Sequence, residues 1–181
     1  MIVTETKLRG CFEVEPTIFE DDRGYFFESF NQNTFNDQLG LNINFVQDNE
    51  SFSSKGVLRG LHFQAGKYAQ AKLVRVIKGK VMDVVVDVRR NSSTFGQHIA
   101  KELSEDNKKQ LFIPRGFAHG FVVLSDTAIF SYKCDNFYNK ASERGIIYND
   151  KTLKIDWGLK KRELIVSEKD LVLPTLSNIG L

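Results

Sequence analysis

Between Lys72 and Cys134 the chain is a series of short strand-like apolar runs separated by turn residues, and Lys72–Lys78 alternates. A period of two puts alternate side chains on opposite faces of a strand, a pattern that a helix does not sustain. Lys72–Lys78 and Val81–Val88 flank a Gly79–Lys80 turn, and Gln97–Leu103, Gln110–Ile113, Gly120–Leu124 and Ala128–Cys134 follow. This spacing predicts an all-β sandwich or barrel. In the second run Met82, Val84, Val86 and Val88 share one face, with Asp83 and Asp87 on the other. Lys72 shares a face with Val74 and Val76, opposite Leu73, Arg75 and Ile77. Both faces are mixed, so the pattern leaves open which one points inward. An inward lysine needs a partner or a ligand.

The N-terminal third reads as short strands and turns. Cys11–Phe19 is a strand broken by Pro16, Glu20–Gly24 a turn, and Tyr25–Phe30 a strand. Asn33 is placed to cap a short helix over Thr34–Leu39, stopped by Gly40. Phe45–Asn49 starts another strand. Near the C-terminus Tyr148–Asp150 is a turn, Leu153–Trp157 is short and amphipathic, and Ser167–Asp170 has the layout of an N-cap with an acid three residues later.

The 181 residues suit one domain with a sizeable core, and no repeat or linker divides them. A net charge of +2 and the lack of a long basic run argue against nucleic-acid binding. No apolar run approaches the length of a membrane span. The first residues lack the layout of a signal peptide, and Cys11 and Cys134 suggest no disulfide framework, so a reducing cytoplasm is expected.

Leu58-Arg59-Gly60-Leu61-His62-Phe63-Gln64 concentrates chemistry in seven residues. Histidine exchanges protons near neutral pH, and an arginine holds anionic groups by bidentate contacts. The alternative for His62 is a core histidine satisfied by a backbone carbonyl. Strict alternation would put Arg59 and His62 on opposite faces. A β-bulge at Gly60 would bring both to one cavity, and this irregularity is expected.

The chain resembles the nucleotide-sugar 3,5-epimerases that act on dTDP-4-keto-6-deoxyglucose in rhamnose biosynthesis. The matching segments are Asp22–Phe30, Val46–Asn49, Leu58–Gln64, Ala69–Val76, Ile113–Phe121, Tyr132–Cys134 and Ser167–Asp170, in family order. The resemblance implies a jelly-roll (cupin) barrel with short peripheral helices, a homodimer, a nucleotide-sugar substrate and no cofactor or metal. It implies His62 as base, Asp170 as its partner, Tyr132 as acid on the opposite face of the sugar and Lys72 as stabiliser of the enolate oxygen. His119 is implied as a further substrate contact. Arg23, Phe26, Glu28, Gln47, Asn49, Arg59, Glu143 and Lys169 are implied as substrate-binding, and Tyr138 as the aromatic stacking on the base. A ketone at C4 acidifies the protons at C3 and C5, so a base, an acid and a cation near the ketone suffice without redox chemistry. Consistently, the sequence has neither a Gly-x-Gly-x-x-Gly nor a P-loop.

The chain departs from the family pattern at Ala65–Tyr68, Asn139–Lys140, Tyr148, Lys151 and Gly158, where prolines or a tryptophan are usual. These changes are expected around the nucleotide and sugar. They leave open another 4-keto sugar, such as a GDP-linked heptose, or epimerisation at one carbon. Three further rivals are a metal cupin, a non-catalytic sugar-binding barrel and a 3,4-ketoisomerase. The spacing of His62, His98 and His119 does not match cupin metal ligands.

Overall fold

A computed structural model describes residues 1–180. Fourteen strands carry the fold: β1 (Ile2–Glu5), β2 (Phe12–Glu15), β3 (Phe19–Asp21), β4 (Gly24–Phe26), β5 (Gln47–Ser54), β6 (Val57–Gln64), β7 (Lys72–Lys78), β8 (Lys80–Asp87), β9 (His98–Ser104), β10 (Gln110–Ile113), β11 (Phe117–Val123), β12 (Thr127–Cys134), β13 (Glu143–Gly145) and β14 (Ile165–Val166). Two α-helices accompany them, α1 (Gln32–Leu39) and α2 (Glu168–Leu171).

The strands form two large sheets. One runs β1-β2-β10-β7-β12-β5; the other runs β13-β6-β11-β8-β9, with β14 added parallel to β6. β3 and β4 form a separate hairpin. The period-two residues explain the packing. Val74, Val76, Leu111 and Phe130 of the first sheet meet Val81, Val85, Leu103 and Phe121 of the second in one buried cluster. The expected β architecture is thus present as two facing sheets in a jelly-roll arrangement, which hides most strand edges and leaves room for a ligand between them.

The outer faces are covered differently. Phe35 and Leu39 of α1 pack with Val14, Leu73 and Phe112 on the first sheet. Leu153, Trp157, Leu176 and Ile179 pack with Leu58, Val84 and Val122 on the second. Both faces of β8 are therefore buried, and its acidic face is the interior one. Trp157 donates from its indole N–H to the Tyr148 carbonyl at 2.9 Å, which ties residues 148–157 together without a helix between them. Tyr148 and Trp157 lie in this outer cluster. The departures at Tyr148, Lys151 and Gly158 thus do not surround the cavity described below, contrary to the sequence expectation. They belong to a segment that covers the back of a sheet.

Several boundaries differ from expectation, among them the following three. Asn31, not Asn33, caps α1: its side chain accepts from the N–H groups of Asn33 and Thr34 at 3.1 and 3.2 Å. The capping oxygen must come from the extended residue before the first turn, and Asn33 is already inside it. Gly40 does end the helix in the left-handed conformation, φ 63°. β4 stops at Phe26, because Phe30 turns inward against Phe35 and Phe45. β11 begins three residues before Gly120, at Phe117.

Asp87 anchors the far end of β8. It is fully buried and accepts from the Arg89 backbone and side chain and from the Ser92 and Thr94 hydroxyls, at 2.6–2.9 Å. Burial alone would raise its pKa; these donors outweigh it and bring it down to about 2. A carboxylate depressed in the folded state stabilises above its unfolded pKa, and that contribution is lost as pH falls through the folded value. The chain is therefore expected to lose about 2 kcal/mol between roughly pH 4 and pH 2 from this group. Urea unfolding at a series of pH values checks this. Asp87→Asn should lower stability at pH 6 and flatten that part of the acid limb.

Candidate active site

The bulge at Gly60 is present. His62 pairs with His119 on β11 but Arg59 pairs with Phe121, so β6 carries one residue more than its partner between these points. Gly60 has φ 123°. A Cβ there would lie 2.6 Å from the Gly120 Cα and 2.8 Å from the His119 carbonyl oxygen. Only glycine fits both the angle and the approach. The extra residue puts Leu58, Leu61 and Phe63 on the outer apolar side and turns Arg59 and His62 to the same cavity.

That cavity, of about 520 Å³, is lined by Arg59, His62, Lys72, His119, Tyr132, Lys169 and Asp170 among others. A second space of about 320 Å³ shares His62, Lys72 and Tyr132 and adds Gln47, Asn49, Tyr138 and Glu143. The shared trio stands where the two meet. His62 comes from one sheet; Lys72 and Tyr132 come from the other, facing it.

His62 Nε2 lies 2.6 Å from Asp170 Oδ1. Asp170 is buried, and its second oxygen accepts from the Gly60 N–H at 3.3 Å. Ser167 caps α2 by accepting from the Asp170 N–H at 3.2 Å. The capping motif and the dyad are one device: the cap sets the helical turn that aims Asp170 at His62. Burial pushes the Asp170 carboxyl up, but the His62 ring, the Gly60 N–H and Ser167 hold it below the usual range. Asp170 is thus an anion near neutral pH, suited to orient the ring and to stabilise it once protonated.

The opposite wall has another character. Lys72 lies on the inward face of β7 with Val74 and Val76, which settles the question the alternation left open. Burial pushes its ammonium pKa down, and nearby Cys134, Asp83 and Glu143 act against that. Its Nζ sits 5.8 Å from the Tyr132 ring centre. Tyr132 packs against the core cluster, and burial first of all raises its pKa, so the phenol keeps its proton near neutral pH.

At the mouth Glu143 accepts from Tyr138 Oη at 2.7 Å and from Lys169. Asn49 accepts from Gln47 Nε2 at 2.9 Å, and Gln47 accepts from the Tyr138 N–H at 3.2 Å. Arg59 Nε donates to Ser53 Oγ at 3.1 Å, a support that sequence reading missed because serine in a strand carries no signal of its own. The departures at Ala65–Tyr68 and Asn139–Lys140 border this mouth: the Asn139 N–H donates to Gln64 Oε1 at 3.1 Å, and the Ala65 N–H to the Ser142 carbonyl at 2.9 Å.

Three implied substrate residues lie elsewhere in the chain. Arg23 sits exposed in the β3–β4 turn, bonded to Asp21. Phe26, 70% exposed, and Glu28 border a small separate space of about 160 Å³ beside Phe30 and Phe35.

A jelly-roll cavity with a histidine–carboxylate dyad on one wall and a buried phenol and ammonium on the other defines a proton-transfer enzyme of the nucleotide-sugar epimerase class. The family model described as dTDP-4-dehydrorhamnose 3,5-epimerase matches residues 5–178. The chain belongs to this family. It is 54% identical over 179 residues to the dTDP-4-dehydrorhamnose 3,5-epimerase of Escherichia coli K12, covering 99% of this chain and 96% of that one. The crystal structure of the Elizabethkingia anophelis enzyme of the same name superposes with a TM-score of 0.95 at 57% identity, covering 98% of this chain and 97% of that one. A Legionella pneumophila dTDP-6-deoxy-D-glucose-3,5-epimerase, solved in complex with dTDP-4-keto-L-rhamnose, also gives 0.95, at 46% identity, with 99% and 94% covered.

Proposed function

We propose that the chain epimerises C3 and C5 of dTDP-4-keto-6-deoxyglucose, yielding dTDP-4-keto-L-rhamnose. The observation that carries this is the placement of His62–Asp170 and Tyr132 on facing walls of one cavity. His62 takes the proton from the carbon next to the ketone. Lys72 meets the charge that develops on the ketone oxygen. Tyr132 returns a proton to the opposite face of the same carbon, and the inverted centre results. Repeating this at the second carbon needs the other C–H to reach His62 after proton exchange with solvent has returned His62 to its neutral form and Tyr132 to the phenol. Arg59 fits the diphosphate, and Tyr138 with Gln47 and Asn49 fits the base and sugar of the nucleotide. Incubation with a panel of 4-keto nucleotide sugars in D₂O, followed by NMR, tests the reading. Deuterium at C3 and C5 with the L-configured product is expected. Deuterium at one carbon alone would make it a mono-epimerase, and movement of the carbonyl a ketoisomerase.

The separation of Arg23, Phe26 and Glu28 from the cavity supports a homodimer in which the β3–β4 hairpin of one protomer reaches the cavity of its partner. Phe19, Tyr25 and Phe26 on that hairpin are 62, 57 and 70% exposed, a large apolar surface for three short-strand residues. Co-expressed His62→Ala and Arg23→Ala chains should then recover up to about a quarter of wild-type activity, since half the dimers are mixed and each holds one intact site. Two separately inactive chains that stay inactive when mixed would place Arg23 within its own protomer's site. No helix among the described residues is long and apolar enough to cross a membrane. Cys11 and Cys134 are buried and unpaired, which supports a reducing, cytoplasmic setting.

A further inference from the structure

A second histidine–carboxylate pair lies inside the barrel. Asp83 on β8 is fully buried, and its Oδ2 lies 2.8 Å from His119 Nε2. Asp83 is in register with Phe121, so His119 two residues along β11 is its diagonal neighbour on the same face. The His119 ring also stacks on Phe130, with centroids 5.9 Å apart and planes 25° apart. The ring is therefore held by its edge and by its face. His119 lines the cavity and Asp83 does not. With Nε2 occupied, Nδ1 is the polar ring atom left for a ligand.

Asp83 differs from Asp170 and Asp87, whose oxygens all have donors. Its Oδ1 is buried without a hydrogen-bond partner among the described residues. Leaving a buried acceptor unmet is unfavourable, and packing alone gives no reason for a carboxylate in a valine-rich strand. Fixing the charge and tautomer of a neighbouring ring does give one.

We propose that Asp83 is a positioning residue for the reaction: it holds His119 with the proton on Nε2, so that Nδ1 faces the sugar. This rests on the epimerase reading above. Asp83 itself touches no substrate and acts through His119. The first test uses the wild-type chain. ¹⁵N–¹H correlation spectra of the histidine rings should show His119 protonated at Nε2. A His119 protonated on Nδ1 alone overturns the proposal, whatever the activity. The second test is Asp83→Asn, which keeps the shape and removes the charge. It is expected to lower kcat about 10–100-fold, with KM changed less than about threefold and the thermal midpoint nearly unchanged. An unchanged kcat, or a loss in kcat matched by an equal rise in KM, overturns it. Should the wild-type chain turn over none of the 4-keto sugars, the epimerase reading fails, and the tautomer measurement still decides the role of Asp83 toward His119.

Discussion

His62→Ala is expected to abolish both epimerised product and solvent deuterium at C3 and C5. The other groups on that wall are less suited to take the proton: Asp170 is buried behind the ring, Arg59 is a cation bonded to Ser53, and His119 is buried, with its ring held by Asp83 and stacked on Phe130. Positioned proton transfer contributes roughly 10²–10⁴-fold, so the loss should reach at least the lower end of that range. Asp170→Asn should fall between wild type and His62→Ala, because it leaves the ring in place but removes the anion that orients it and stabilises it when protonated. Deuterium content by NMR, measured for the three proteins under one set of conditions, checks the order. Exchange at the wild-type rate in His62→Ala would assign the base to another residue.

Tyr132→Phe should separate the two halves of the reaction. The phenol stands on the first sheet, across the cavity from His62, and keeps its proton near neutral pH because burial opposes its ionisation. Removing the hydroxyl leaves His62 able to take a proton and give it back on the same face. Deuterium should enter with retained configuration while inverted product falls about 10²-fold or more. The ring of phenylalanine fills the same place beside Phe130, so the fold should be unaffected. Inverted product at the wild-type rate would remove Tyr132 from the acid's role.

The legible part of this protein is the part set by local pattern. Alternation in the central runs specifies strands because a two-residue period has one regular solution, and their close spacing specifies packed sheets. Gly79, Gly40 and the Ser167–Asp170 layout mark turns and ends for similar local reasons. The bulge at Gly60 was accessible to argument as well, since Arg59 and His62 cannot share a cavity on a regular strand. Two acids in the Val81–Val88 run were visible, but their burial was not, because a strand covered on both faces and one covered on one face differ only in what packs beyond it.

Tertiary structure decided the rest. Lys72 became an interior residue only because the Val74 and Val76 face meets the second sheet. Asp170 reaches His62 across 108 positions of sequence, and Asp83 reaches His119 across 36, distances at which no local rule operates. Arg23, Phe26 and Glu28 match the family by sequence yet stand away from the cavity of their own chain, since a hairpin's position is set by what it packs against. A sequence records which residues are chemically capable and which local shapes they prefer. Which of them meet is settled by the packing of whole sheets, where burial of the apolar faces outweighs any single polar contact and carries the polar groups into place.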